Sequence, residues 1–168
     1  MGIELDKNRV KKIIRAALKE DLGRGDITTN FIIPKLESVN GVIFANEECV
    51  LCGISIAEWI FSEMDFSVRF KPQAEDGEAL HPGQEAAFVE GHARAILTAE
   101  RVALNFLSFL SGIATETRKY VDKAGDRACR VLDTRKTFPL LRYLEKYAVQ
   151  VGGGHNHRMD LGEMVMVK

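Results

Sequence analysis

Apolar residues recur with a helical period at the start of the chain. Val10, Ile13, Ile14, Ala17 and Leu18 stand at i, i+3, i+4, i+7 and i+8, while Lys11, Lys12, Arg15, Lys19 and Glu20 fill the opposite face. That spacing predicts an amphipathic helix over 6–22, with Asp6 as its N-cap and Gly23 as the residue that stops it. From Val39 to His92 the period shortens. Residues 41–45 and 49–53 predict two strands joined by Asn46-Glu47-Glu48, and 54–64 a short helix carrying Ile56, Trp59 and Ile60. Residues 66–70 alternate as a strand with Phe66, Val68 and Phe70 on one face; 72–83 is rich in turn formers, and 86–91 is a further strand. A helical pattern resumes over 93–125, with a break expected near Ser111-Gly112. Ile96, Ala99, Val102, Ala103, Phe106, Leu107 and Leu110 make its apolar face broad enough to pack on a domain or a second subunit, with Glu100 and Arg101 bringing charge into its middle.

After Asp126 the pattern changes again. Residues 129–133 predict a buried strand, 139–150 a helix begun by Pro139 and stopped by Gly152, and 164–167 a second buried strand capped by Lys168. The inner face expected for that helix is Leu140, Leu141, Leu144 and Ala148, with Glu145 and Lys146 solvated. Strand, helix, strand of this length predicts parallel pairing with a right-handed crossover. One such unit does not cover both faces of a parallel sheet. The expectation is therefore the opening part of a larger α/β domain, preceded by a small α+β unit.

Composition narrows the function classes. Of 168 residues, 46% are apolar and 28% charged, with a net charge of −1, which argues against a general nucleic-acid binder. No run approaches ~20 consecutive apolar residues, and the first residues do not form a secretory signal, so a cytoplasmic location is expected. Cys49, Cys52 and Cys129 are an odd set expected to be reduced and to sit in strands or core. Charge is unevenly spread. From Arg130 onward seven cations face four anions, a local excess of +3.

That excess concentrates in Asp133-Thr134-Arg135-Lys136-Thr137, in Gly152-Gly153-Gly154-His155-Asn156-His157-Arg158, and in Lys168. Arg and Lys beside buried strands are costly unless something anionic meets them. Arg135 and Lys136 follow the first strand expected here and Lys168 the second, the end at which α/β folds place their chemistry. The cluster points to a pocket for a small polyanion. The glycine triplet lacks the Lys-Ser/Thr of nucleotide-binding loops and is expected to be a helix stop and sharp turn. His155, His81 and His92 are expected to be structural or exposed, and no metal ligands are assigned.

Six blocks, in order, resemble the N-terminal part of the quinolinate phosphoribosyltransferase family. They are residues 17–28 (ALKEDLGRGDIT), 99–107 (AERVALNFL), 110–115 (LSGIAT), 133–137 (DTRKT), 144–149 (LEKYAV) and 152–158 (GGGHNHR). The resemblance implies an α/β sandwich domain, drawn here over 1–112, followed over 113–168 by the first part of an incomplete α/β barrel. It implies transfer of phosphoribosyl from phosphoribosyl pyrophosphate to quinolinate with Mg²⁺, giving nicotinate mononucleotide, pyrophosphate and CO₂. By position it implies that Arg135, Lys136, Thr137, His157, Arg158 and Lys168 line the quinolinate pocket. Arg101 would reach a neighbouring subunit's pocket in a homodimer or higher oligomer, with Lys136 and Arg101 serving catalysis. Ligands for Mg²⁺ are expected beyond Lys168. Two other readings stay open on the same residues: a pyrophosphorylase-like relative associated with molybdenum transport, and an inactive N-terminal portion that only dimerises. One departure stands out, since the family usually has Gly after the Pro of the helix start and here there is Leu140.

Overall fold

The computed structural model describes residues 3–125 and 129–167. Helix α1 (Lys7–Leu22) starts at Asp6, whose carboxylate accepts the amides of Asn8 at 2.8 Å and Arg9 at 3.3 Å, and buries Val10, Ile14 and Leu18. Gly23 ends it at φ 50°, its amide returning to the Lys19 carbonyl. A short helix α2 (Ile27–Ile32) follows, capped by Asp26.

Five strands then form two sheets. Strand β1 (Ser38–Phe44), β3 (Arg69–Pro72) and β5 (Glu85–His92) make an antiparallel sheet in the order β1-β5-β3. Strand β2 (Cys49–Val50) pairs instead with β4 (Ala79–Leu80), so the two strands expected to neighbour each other belong to different sheets. The strand expected from Phe66 begins only at Arg69. Asp65 accepts the amide (2.8 Å) and hydroxyl (2.7 Å) of Ser67, which curls 65–67 into a turn and leaves Phe66 92% exposed.

Helix α3 (Ile54–Met64) opens on Gly53, which has no side chain to cap it. Asp76 serves from a distance, accepting the amides of Gly53 at 2.8 Å and Ile54 at 2.9 Å. Its other oxygen accepts the Tyr147 hydroxyl at 2.7 Å. Burial and the Asp76 charge push the Tyr147 phenol well above its usual range.

Helix α4 (Ala93–Ala124) is continuous through Ser111-Gly112, where a break was expected. The Ser111 hydroxyl accepts the Cys52 amide at 2.9 Å, and Thr115 accepts the Val50 amide at 2.8 Å. Both hydroxyls thus tie the helix to the β2 segment without opening it. The broad apolar face is spent within this chain: Ile96, Ala99, Val102, Ala103, Leu107 and Leu110 are all buried, and α3 is the helix's largest neighbour. Arg101 is not in the middle of that face; it stands exposed on the far side. By length and composition α4 could cross a bilayer, but its apolar stripe is the core.

Beyond α4 the expected strands are reduced. Leu132 makes one parallel bridge, to His155, while Cys129 and Arg130 are exposed rather than buried. The second strand, expected at 164–167, is absent: Met164, Val165, Met166 and Val167 are exposed, with no ladder to join. Helix α5 (Arg142–Val151) begins three residues later than Pro139, because Leu140 sits at φ 68°, outside the right-handed helical region. Leu140 is exposed instead of facing inward, and Leu144 and Ala148 are buried as expected.

The glycine triplet locks α5 against α4. A Cβ on Gly152 would lie 2.4 Å from the Ala114 carbonyl oxygen, and one on Gly154 2.7 Å from Val149 Cγ1 and 2.9 Å from Thr117 Cγ2. Gly153 turns the chain at φ 92°. The triplet is a close crossing of helices and a turn.

Candidate functional site

The Leu132–His155 bridge lays 131–133 alongside 155–157: the Asp133 amide donates to the His155 carbonyl at 3.1 Å, and the His155 amide to the Val131 carbonyl at 2.9 Å. Between them lies a buried ion pair. The side chains of Lys146 and Asp133 are 1% and 5% exposed and in direct hydrogen-bond contact. Asp133 also accepts the His157 amide at 2.8 Å and the Asn156 side-chain amide at 2.7 Å. Lys146 Nζ donates a second bond to the His157 carbonyl at 2.8 Å. Lys146 is therefore the opposite of the solvated residue its sequence position suggested. The missed signal was Asp133 itself, a carboxylate at the end of an apolar run that could stay buried only with a cation.

From this junction the basic residues emerge on two adjoining segments. Arg135, Lys136 and Thr137 leave the first; His157 and Arg158 leave the second. The Thr134 hydroxyl accepts the Lys136 amide at 3.0 Å and turns the first segment. Arg142 holds the outer side, its Nε donating to the Thr137 hydroxyl and its Nη1 to the Met159 carbonyl, both at 3.2 Å. The Phe138 ring packs edge-on against Phe109 of α4 at 5.8 Å. His157 Nδ1 accepts the Arg158 amide at 2.7 Å, which leaves Nε2 to carry the ring proton in the neutral form. Arg158 Nη1 reaches the Met164 carbonyl at 2.8 Å.

Two guanidinium atoms remain unmatched. Arg135 Nε and Arg158 Nε are both buried without a hydrogen-bond partner among the described residues. Buried donors are nearly always satisfied, so unmatched ones on adjoining segments call for an acceptor. Guanidinium forks match the planar, two-oxygen geometry of carboxylate and phosphate groups. Lys136 is exposed, and Lys168 lies outside the described residues. Arg101 is not gathered in: eight residues from Phe109, it lies about 12 Å away along the α4 axis at the helical rise. Among the described residues no cluster of three His, Cys, Asp or Glu side chains could hold a metal ion. Asp133 is already engaged by three donors. These residues do not fit Mg²⁺.

Cationic side chains at the C-terminal ends of two parallel segments joined by a helix place the chain in the α/β class, with its cations at the end where such folds hold ligands. A family model described as "Quinolinate phosphoribosyl transferase, N-terminal domain" matches residues 26–111, and one described as its C-terminal domain matches residues 113–168. The chain belongs to the quinolinate phosphoribosyl transferase family. It is 43% identical over 160 residues to quinolinate phosphoribosyltransferase (decarboxylating) 1 of Nicotiana glauca, covering 95% of this chain and 45% of that protein. It is 46% identical over 164 residues to the probable nicotinate-nucleotide pyrophosphorylase (carboxylating) of Methanocaldococcus jannaschii, covering 96% and 56%. Among solved structures, NadC from Streptococcus pyogenes superimposes with a TM-score of 0.95 at 42% identity, over 99% of this chain and 59% of that one. The chain thus spans about half the length of the curated relatives it matches. Its fold is that of the N-terminal domain and the start of the C-terminal domain.

Proposed function

We propose that this chain carries the quinolinate-gripping part of an enzyme of de novo NAD biosynthesis. That enzyme transfers phosphoribosyl from phosphoribosyl pyrophosphate to quinolinate, releasing pyrophosphate and CO₂ and leaving nicotinate mononucleotide. The carrying observation is the pair of buried, unmatched guanidinium nitrogens on Arg135 and Arg158, set on segments that one carboxylate clasps together. Quinolinate has two adjacent carboxylates on a flat ring. The Arg135 guanidinium and the Arg158 Nε, supported by Lys136 and the His157 Nε2, match that charge and shape, and Thr137 adds a hydroxyl. In the transfer, the ring nitrogen forms a bond to ribose C1 as the C1–oxygen bond to pyrophosphate breaks. The quaternised ring then holds the electron pair left by departing CO₂, and a proton replaces the lost carboxylate. What these residues contribute is positioning of the dianion with its nitrogen free.

The finer architecture belongs to the same proposal: an α/β sandwich over 1–112 and the opening of an incomplete α/β barrel over 113–168, with α4 shared across the boundary. Mg²⁺ remains the expected cofactor of the complete reaction, with ligands from outside the described residues. Arg101 is proposed to serve a neighbouring subunit's pocket. Its exposure, with no hydrogen bond or ion pair among the described residues, supports this, as do Phe31, Ile32 and Leu36 exposed around α2. A cytoplasmic location is proposed as well; similar proteins from tobacco and Arabidopsis are named mitochondrial and chloroplastic.

Calorimetric titration of the chain with pyridine-2,3-dicarboxylate tests the proposal. Losing charge-assisted hydrogen bonds of about 1.5–3 kcal/mol should weaken binding of Arg135→Ala by roughly 10- to 100-fold. The fold should stay intact, and pyridine-3-carboxylate should bind wild type more weakly. Equal affinity of wild type and variant would reject the assignment.

A further inference from the structure

We infer that Arg142 and Lys146 are positioning residues: a two-point clasp on α5 that sets the spacing of the two basic segments without touching the ligand. The inference rests on the anion-binding role proposed above and deepens it. The two residues stand four apart and so share one face of the helix. Each reaches both segments. Lys146 takes Asp133 on the first and the His157 carbonyl on the second. Arg142 takes the Thr137 hydroxyl on the first and the Met159 carbonyl on the second. The clasped positions are thus 133 and 137 on one segment, 157 and 159 on the other. Arg135 and Lys136 lie between the first two, and Arg158 between the second two. Arg135 and Arg158, the two residues with an unmatched Nε, are therefore each bracketed by held backbone on both sides. Asn156 closes the inner point, donating to Asp133 at 2.7 Å and to the Lys146 carbonyl at 2.8 Å.

Stability alone does not account for the inner point. A buried ion pair seldom stabilises more than apolar side chains of similar volume, because both charges lose their hydration. Such a pair does impose one geometry, since each oxygen and each ammonium proton must find its partner. Forks held in that geometry bind a flat dianion without the cost of ordering two loops.

The experiment uses Arg142→Met, which keeps the aliphatic stem, and the double variant Asp133→Asn/Lys146→Met, which removes both buried charges together. Three quantities are read: the thermal midpoint, the affinity for pyridine-2,3-dicarboxylate, and ligand-free amide hydrogen exchange over 155–159. The expected result is a midpoint close to wild type in both variants, with affinity lower by about tenfold and exchange faster by about tenfold or more. If affinity and midpoint fall together in both variants, the residues serve packing only and the inference is overturned. Unchanged exchange over 155–159 in both variants also overturns it, whatever the affinities do. If wild type fails to bind the dicarboxylate while exchange rises in both variants, the clasp stands and the proposed substrate falls.

Discussion

Replacing Leu140 by glycine should make this protein more stable. Leu140 holds φ 68° and is the only non-glycine at positive φ among the described residues. The left-handed region costs an L-residue roughly 1–2 kcal/mol, because Cβ crowds the following carbonyl. Glycine escapes that cost but loses more backbone freedom on folding, roughly 0.5–1 kcal/mol. The leucine side chain is 90% exposed, so deleting it forfeits only about 0.2 kcal/mol of a full burial near 2 kcal/mol. At the centre of these ranges the net gain is about 0.5 kcal/mol, or a rise of about 1–2 °C in Tm for a chain of this length. Urea unfolding should show a higher midpoint with an unchanged slope. Leu140→Ala serves as the control: it removes the same exposed carbons but keeps Cβ, and should gain nothing. A lower midpoint for Leu140→Gly, or equal gains for both variants, would refute strain as the cause. The positive φ is the physical reason a glycine would suit this position.

Gly152→Ala places a methyl 2.4 Å from the Ala114 carbonyl oxygen and 2.7 Å from Thr117 Cβ, so α4 and α5 must part. A loss of about 1–3 kcal/mol is expected in chemical unfolding, and a loss under about 0.5 kcal/mol would contradict the crossing geometry. Asp76→Ala leaves the amides of Gly53 and Ile54 and the Tyr147 hydroxyl without their acceptor, and should cost about 2–4 kcal/mol; Tyr147→Phe should cost less. Hydrogen bonds from His92 and Ser67 lower the Asp65 carboxyl to about 2, from an ordinary value of 3.8. With the folded value below the unfolded one, its contribution is complete above about pH 4 and is lost as pH falls toward 2. Wild type and Asp65→Asn should accordingly differ in Tm at pH 6 and converge near pH 2; a constant difference would exclude this linkage.

Local rules carried the N-terminal half of this chain. The caps at Asp6 and Gly23 depend on residues a few positions apart and were legible in the pattern, as was the extent of α3, although its distant cap, Asp76, was not. Most of the misreadings involve a partner distant in sequence; the exceptions are local, the Asp65–Ser67 turn and the positive φ of Leu140. Ser111-Gly112 has the composition of a helix break, but its fate turns on the Cys52 amide, 59 residues away. Residues 129–133 and 164–167 have strand composition, yet a strand exists only where a second backbone accepts its hydrogen bonds, and here a single bridge at Leu132 forms. The candidate site divides along the same line. Arg135, Lys136, His157 and Arg158 announce an anion by charge alone, and charge is a local property of sequence. The spacing that makes them a site comes from Lys146 and Arg142, which on an amphipathic helix resemble any solvated cation. Only the buried Asp133, 13 residues upstream, changes that reading for Lys146. A carboxylate inside an apolar run demands a countercharge on whichever neighbouring element can bury one. Applied in advance, that demand selects among the nearby cations: Arg135 and Lys136 leave on Asp133's own segment, and the helix that follows offers Lys146 on a turn beside the buried Leu144 and Ala148.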